Sequence, residues 1–369
     1  MRQMLSQSKR WVIKVGTSTL TTQDGHFSFH QLDKIISQVL VLLHRGVEVV
    51  LVSSGAIALG METLKLAKRP KTLPHLQACA AIGQGKLMKA YETAFSERGF
   101  HTAQVLLTRD EFQDRRRYLN AKNTVESLLK MNIVPVVNEN DTVATEEIKF
   151  GDNDMLAAQV ANLAEADLLV FLSDIDGLYL KDRTLIRRIR SFGELKEYTR
   201  HIYPKRSEKT AGGMKAKLEA AQVAMRSGIP IVLANGRDED VINRILTGEE
   251  VGSLFCPTES KTNARKRWLA HSAQVKGSLT VDLGAYRALV EAKRSLLPSG
   301  VLGCSGHFKV GDLVQLMDRE GSIFGRGLIN YSYDELEKIK GRKTTEISDI
   351  LGYTRSDELI HRNNLVLLE

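Results

Sequence analysis

Five short apolar, largely β-branched runs punctuate the first two-thirds of the chain, and each stops on or beside small polar residues. Trp11 to Val15 leads into Gly16, Val49 to Val52 into Ser53-Ser54-Gly55, and Ile133 to Val137 into Asn138. Leu168 to Leu172 leads into Ser173-Asp174, and Ile229 to Leu233 into Asn235-Gly236. Runs without polar alternation are strands buried on both faces, which is the habit of parallel sheets. The spaces between them carry helical patterns. Leu32, Ile35, Ile36, Val39 and Leu43 predict a helix over 28–44, with Ser28 and Gln31 as a capping box. The order predicts an α/β fold, a mostly parallel sheet sandwiched by helices. Ligands in such sheets bind beyond the carboxyl ends of strands, so the polar endings mark where a site belongs.

The pattern changes after about residue 258. Residues 259–275 are polar and basic, including Arg265-Lys266-Arg267, and read as a linker or connecting helix. From Lys276 onward, short strand-like runs alternate with closely spaced turns such as Pro298-Ser299-Gly300 and Gly311-Asp312. The expected organisation is a first domain over 1–258, a linker over 259–275 and a smaller β-rich domain over 276–369. A chain of 369 residues agrees with two or three domains.

Composition narrows the partners. Lys and Arg number 52 against 44 acidic residues, a net charge of +8, which favours anionic partners such as nucleotides, phosphates, acidic metabolites or RNA. No apolar run approaches the ~20 residues that cross a bilayer, and the polar amino terminus lacks the apolar core of a secretory signal. Cys79, Cys256 and Cys304 are far apart, without Cys-x-x-Cys or Cys/His spacing, so they read as reduced, packed thiols of a cytoplasmic protein. Gly83-Gln84-Gly85-Lys86 lacks the other residues of a P-loop, and no dinucleotide, zincin, hydrolase or calcium-loop signature is present.

Four segments carry chemistry. Lys14, inside an apolar strand just before Gly16, is either a phosphate clamp or an edge-strand lysine reaching solvent. Ser53-Ser54-Gly55-Ala56 is a close-approach turn at a helix start, or an ordinary turn with serine as cap. Asn138-Glu139-Asn140-Asp141-Thr142-Val143, with Gly151-Asp152-Asn153-Asp154 downstream, could hold a substrate ammonium group or orient lysines and metal-bound water. Asp152 could instead cap the helix that buries Leu156, Val160 and Leu163. In Ala211-Gly212-Gly213-Met214-Lys215-Ala216-Lys217, two glycines open a helix with a core face of Met214, Leu218, Ala221 and Met225. Its free N–H groups would suit phosphate, with Lys217 one turn in; a solvated surface loop is the alternative.

The order of these segments, with LSDIDGLY between the last two, resembles the amino acid kinase family over roughly residues 10–255. The joined NENDTV and EIKFGDND resemble its glutamate-phosphorylating branch. The carboxy-terminal part resembles the PUA domain that many bacterial members append. The resemblance implies transfer of the γ-phosphoryl group of ATP to the side-chain carboxylate of L-glutamate, giving L-glutamyl 5-phosphate at the first step of proline biosynthesis. It implies that Lys14, Ser173, Asp174 and residues 211 to 217 (Ala211, Gly212, Gly213, Met214, Lys215, Ala216, Lys217) bind ATP. Ser54, Asp141 and Asn153 would then bind glutamate, and Lys14, Lys217 and Asp154 would serve catalysis.

Mg²⁺ would sit mainly on the ATP phosphates, with no direct protein ligand assigned. A homo-oligomer, dimer or tetramer, is expected, with hand-over of product to glutamyl phosphate reductase. RNA is the subordinate alternative partner, since PUA domains often contact RNA; no membrane partner is expected. The chain departs from the family where Ala211 replaces a threonine-type hydroxyl, for which Thr210 could substitute, and in the basic stretch 180–209 with Arg187-Arg188-Ile189-Arg190. Both bear on nucleotide binding.

Overall fold

The computed structural model describes residues 2–144, 153–201, 208–257 and 275–368. The chain divides into two compact units, Met1–Ser260 and Lys261–Glu369.

The strands of the first unit are β1 (Arg10–Val15), β2 (Glu48–Ser53), β3 (His101–Leu107), β4 (Ile133–Glu139) and β5 (Leu168–Ser173). They continue with β6 (Leu178–Tyr179), β7 (Leu185–Ile186), β8 (Arg188–Ile189), β9 (Ile231–Asn235) and β10 (Ser253–Phe255). Eight of them form one sheet in the order β3-β4-β2-β1-β5-β9-β10-β8, parallel except where β10 runs against β9. β6 and β7 make a separate antiparallel hairpin. Each of the five apolar runs lies in a strand of this sheet. The fifth starts two residues late, at Ile231, after Pro230, whose backbone nitrogen has no hydrogen to give a ladder.

Residues of alternating parity feed two cores, one on each face. Trp11, Ile13, Val15, Leu51 and Leu172 pack with the helix Phe29–His44 and part of Leu73–Ser96. Val12, Val50, Val52, Leu169 and Phe171 pack on the other face with the helices Arg115–Lys130, Asp154–Leu163 and Glu208–Arg226. Leu156, Val160 and Leu163 are buried as their spacing requires, and so are Leu218, Ala221 and Met225. The Phe29–His44 helix is capped by the Ser28 hydroxyl, which accepts from Gln31 N at 3.2 Å. The expected box does not close: Ser28 N donates to Leu20 O at 2.7 Å, and the Gln31 amide donates to Gly236 O at 2.8 Å.

The helices Ala56–Thr63 and Leu73–Ser96 meet at two glycines. A Cβ on Gly60 would lie 1.8 Å from Cys79 O, and one on Gly83 would lie 1.7 Å from Ala56 O. Only glycine permits so close an approach of two backbones.

The basic run at 187–190 is partly structural. Ile189 is buried in β8, which pairs with β10, and Arg187 donates to Glu250 O at 3.1 Å. Arg188 Nε lies 3.4 Å from the sulfur of Cys256. None of the three thiols is in a disulfide; Cys79 and Cys256 are buried and Cys304 is half-buried.

The second unit is built on a five-stranded sheet, order β12-β11-β13-β14-β15. Its strands are β11 (Val275–Val281), β12 (Val301–Gly306), β13 (Leu313–Met317), β14 (Ile323–Leu328) and β15 (Leu365–Leu367). Helices Leu283–Val290 and Tyr333–Ile339, absent from the strand-and-turn reading, pack their Leu289, Leu336 and Ile339 onto its core. The basic segment 265–267 lies outside the described residues. Among the described residues, no helix is long and apolar enough to cross a membrane.

Candidate active site

The carboxyl ends of β1, β2, β4 and β5 stand side by side, because the chain leaves β1 toward β2 and later returns on its other side at β5. This switch in direction opens a crevice at the strand ends.

Lys14 is the fifth residue of β1, paired with Val52 of β2 and Phe171 of β5. An interior strand position rules out the edge lysine reaching solvent, and its side chain is only 4% exposed. By alternation it shares a face with Val12, the face covered by the helices Asp154–Leu163 and Glu208–Arg226. Asp154 opens the first of those helices and Lys217 lies on the second. Lys14 Nζ is 2.6 Å from Asp154 Oδ1, and Lys217 Nζ is 2.7 Å from Asp154 Oδ2. The carboxylate has no exposed surface. A buried charge of this kind is tolerated only when paired, and here one carboxylate joins two ammonium groups and leaves a net charge of +1. The turn at Gly16 runs close to both neighbours: a Cβ there would lie 3.3 Å from Leu172 O and 3.5 Å from Lys14 Nζ.

Beside this trio lies a cleft of about 370 Å³, lined among others by Ser54, Gly55, Asn138, Glu139, Asp141 and Asn153. The three expected substrate residues Ser54, Asp141 and Asn153 therefore share one cavity. Ser54 does not cap the helix Ala56–Thr63. Gly55 stands at the cap with φ +112°, a left-handed conformation that favours glycine, and its backbone lines the cleft.

Asn153 is nearly buried and spends its amide on tertiary bonds. Nδ2 donates to Ser53 O at 2.8 Å, to Asn138 Oδ1 at 2.7 Å and approaches Ser54 Oγ at 3.2 Å. Asn138 in turn donates to Gln84 Oε1 at 2.8 Å, and its Oδ1 also accepts from Glu139 N at 2.9 Å. Tyr91 donates to Ser53 Oγ at 2.8 Å. The floor of the cleft is thus a cross-linked polar layer between the ends of β2 and β4, with little freedom to reorient. Burial pushes the Asp141 carboxyl up to about 6, and the nearby Arg69 guanidinium works against that rise.

Ser173 and Asp174 lie at the end of β5, the neighbour of β1, where Ser173 Oγ donates to Asp174 Oδ1 at 3.3 Å. Gly236 N reaches Ser173 O at 2.8 Å and ties the β9 end to the same edge. The glycine segment differs from expectation. The helix begins at Glu208, so Gly212 and Gly213 sit inside it rather than opening it. Glu, Lys and Ala upstream are good helix formers, enough to carry the helix through two glycines at a cost of about 1 kcal/mol each. Only the first four N–H groups of a helix are free of helical bonds, which places them at 208–211, before Gly212. Met214 is half-buried against the core, Lys215 is exposed 3.9 Å from Glu219, and Ala216 is half-buried. The side chain of Ala211, the surroundings of Gly212, and Asp152 with its capping role lie outside what is described.

Gln84, Tyr91 and Arg69 are the residues sequence reading missed. Gln84 and Tyr91 sit on an amphipathic helix, where nothing local separates a polar support from a solvated face. Arg69 lies in an irregular stretch without periodicity.

A profile of the amino acid kinase family matches residues 9–235, and one of the PUA domain matches residues 277–351. The chain is 49% identical over 364 residues to a glutamate 5-kinase of Caldanaerobacter subterraneus subsp. tengcongensis, covering 98% of each chain. It is 48% identical over 374 residues to a glutamate 5-kinase of Carboxydothermus hydrogenoformans, with full coverage of both. It is 46% identical over 371 residues to one of Myxococcus xanthus, covering 100% of this chain and 98% of that one.

Proposed function

The chain belongs to the amino acid kinase family, among the glutamate 5-kinases, and from that premise we propose how its cleft performs the reaction. The enzyme phosphorylates the side-chain carboxylate of L-glutamate with ATP, giving L-glutamyl 5-phosphate for proline biosynthesis.

The nucleophile is already an anion, so no general base is required. A carboxylate oxygen attacks the γ-phosphorus, the new P–O bond forms, and the bond to the bridging oxygen breaks with its electron pair passing to ADP. The barrier lies in bringing two anions in line and in spreading charge over the phosphoryl oxygens. Lys14 and Lys217 supply that charge, with Mg²⁺ arriving on the ATP phosphates. The observation that carries this reading is the shared carboxylate of Asp154, which holds both ammonium groups at fixed places before ATP arrives. Preorganised cations of this kind stabilise a transition state without reorganising at the moment of reaction. Asp154 is the positioning member.

Ser54, Asp141 and Asn153 bind glutamate, Asp141 through the α-ammonium group. Ser173, Asp174 and the segment 211–217 hold the nucleotide. This assignment draws on their places at adjoining strand ends and on the family. The division into a kinase domain over 1–258, a connection over 259–275 and a PUA domain over 276–369 belongs to the same proposal. So do a homo-oligomeric state, a cytoplasmic location and direct hand-over of the labile acyl phosphate to a glutamyl phosphate reductase.

The test is ADP release with L-glutamate, L-aspartate, N-acetyl-L-glutamate and UMP as acceptors, and hydroxamate trapping for the carboxylates. Glutamate alone should support rapid turnover. Preference for any other acceptor would refute the assignment.

A further inference from the structure

The cleft beside Asp154 is lined by acidic groups. Asp24, Glu62, Glu139 and Asp141 all contribute, and among the described lining residues Arg69 is the only basic side chain apart from the imidazole of His26. L-glutamate brings two carboxylates and one ammonium group. On the functional reading above, its side-chain carboxylate faces the transferred phosphoryl group, toward the Lys14–Asp154–Lys217 end. Its α-carboxylate then enters a cleft in which Arg69 is the described guanidinium able to receive it. Arg69 and Asp141 are close enough for the guanidinium to act electrostatically on the carboxyl, so the cleft presents one cation and one anion together. That is the charge pattern of an α-amino acid head in reverse.

We propose that Arg69 binds the α-carboxylate of L-glutamate while Asp141 takes its α-ammonium group, so that the pair reads the acceptor as a free α-amino acid. A guanidinium fork suits a carboxylate through two parallel hydrogen bonds, a geometry that an ammonium group does not reproduce. Arg69 precedes Pro70, which restricts its backbone to extended conformations and limits where the side chain can reach. The inference rests on the glutamate kinase reading and adds to it the residue that discriminates the α-carboxylate.

The test compares L-glutamate with its α-carboxamide, L-isoglutamine, on the full-length enzyme. Isoglutamine is followed as a substrate or, where turnover is too slow, as a competitive inhibitor. Arg69→Ala should raise the KM for glutamate by about 10- to 100-fold. Its affinity for isoglutamine should change by less than about twofold, because isoglutamine lacks the carboxylate with which the lost guanidinium would pair. The KM for ATP should stay unchanged, and Arg69→Lys should restore part of the loss. An equal loss for both acceptors would mean that Arg69 only shapes the cleft, and an unaltered KM for glutamate would remove it from binding; either overturns the proposal. Failure of the wild-type enzyme to phosphorylate glutamate would instead refute the functional reading, and this inference with it.

Discussion

Lys217 Nζ lies 2.7 Å from Oδ2 of Asp154, a residue 63 positions earlier in the chain, on the helix that packs beside its own. The same carboxylate holds Lys14 through its other oxygen. Lys217 is therefore not a solvated lysine but one arm of a fixed charge assembly.

Lys217→Ala removes one transition-state cation while Lys14 still balances Asp154. The variant should fold normally and lose about 10²-fold or more in kcat. Circular dichroism and steady-state assays at saturating glutamate and ATP check this. Near wild-type turnover would exclude Lys217 from the chemistry.

Asp154→Ala acts on stability as well as activity. It leaves Lys14, 4% exposed, without its carboxylate in the interior of the sheet. Removing one partner of a buried ion pair costs roughly 3–5 kcal/mol. Urea unfolding should show a loss of that size, and Lys217→Ala, at a side chain 13% exposed, a smaller one.

Asp141 sets a pH dependence. Burial holds its carboxyl at about 6 in the free enzyme, so it is ionised at pH 8 and mostly protonated at pH 5. The substrate ammonium group needs the ionised form. kcat/KM for glutamate should fall as pH drops through about 6, where this parameter reports groups of the free enzyme. In Asp141→Asn the inflection should vanish, with the KM for glutamate raised at pH 8 and converging on the wild-type value toward pH 5, and with ATP binding retained. An inflection persisting in the variant would assign it to another group.

Gly83→Ala tests the helix crossing. The added methyl would lie 1.7 Å from Ala56 O, so backbone must move. A loss of about 3 kcal/mol is expected, at the upper end of overpacking effects. A raised KM for glutamate should accompany it, because Ala56 begins the helix that follows the cleft residue Gly55. Gly85→Ala, on the same helix with open space around it, serves as the control.

Much of the first unit was legible because its signals are local. An unbroken apolar run such as Leu168–Leu172 carries its own burial on both faces, and Ser53-Ser54-Gly55 and Asn138 announce where the strands end. Other features were not. β3 (His101–Leu107) is an edge strand with exposed positions, so its pattern is weak. The Gln31 amide chose a carbonyl more than two hundred residues away over its own helix start. The glycines of 211–217 predicted a helix start, yet good helix formers upstream place the start at Glu208 and carry the helix through them.

Residue order alone was enough for the α/β class, the polar strand ends, the β-rich tail and the residue types able to handle phosphate and an ammonium group. These follow from periodicity and from chemistry confined to a few neighbouring positions. Folding in three dimensions was needed to turn Lys14 inward onto the carboxylate it shares with Lys217, to brace Asn153 with Gln84 and Asn138, and to bring Arg69 to the cleft shared with Asp141. Strand order and helix packing create those proximities, and neither is written in the spacing of residues along the chain.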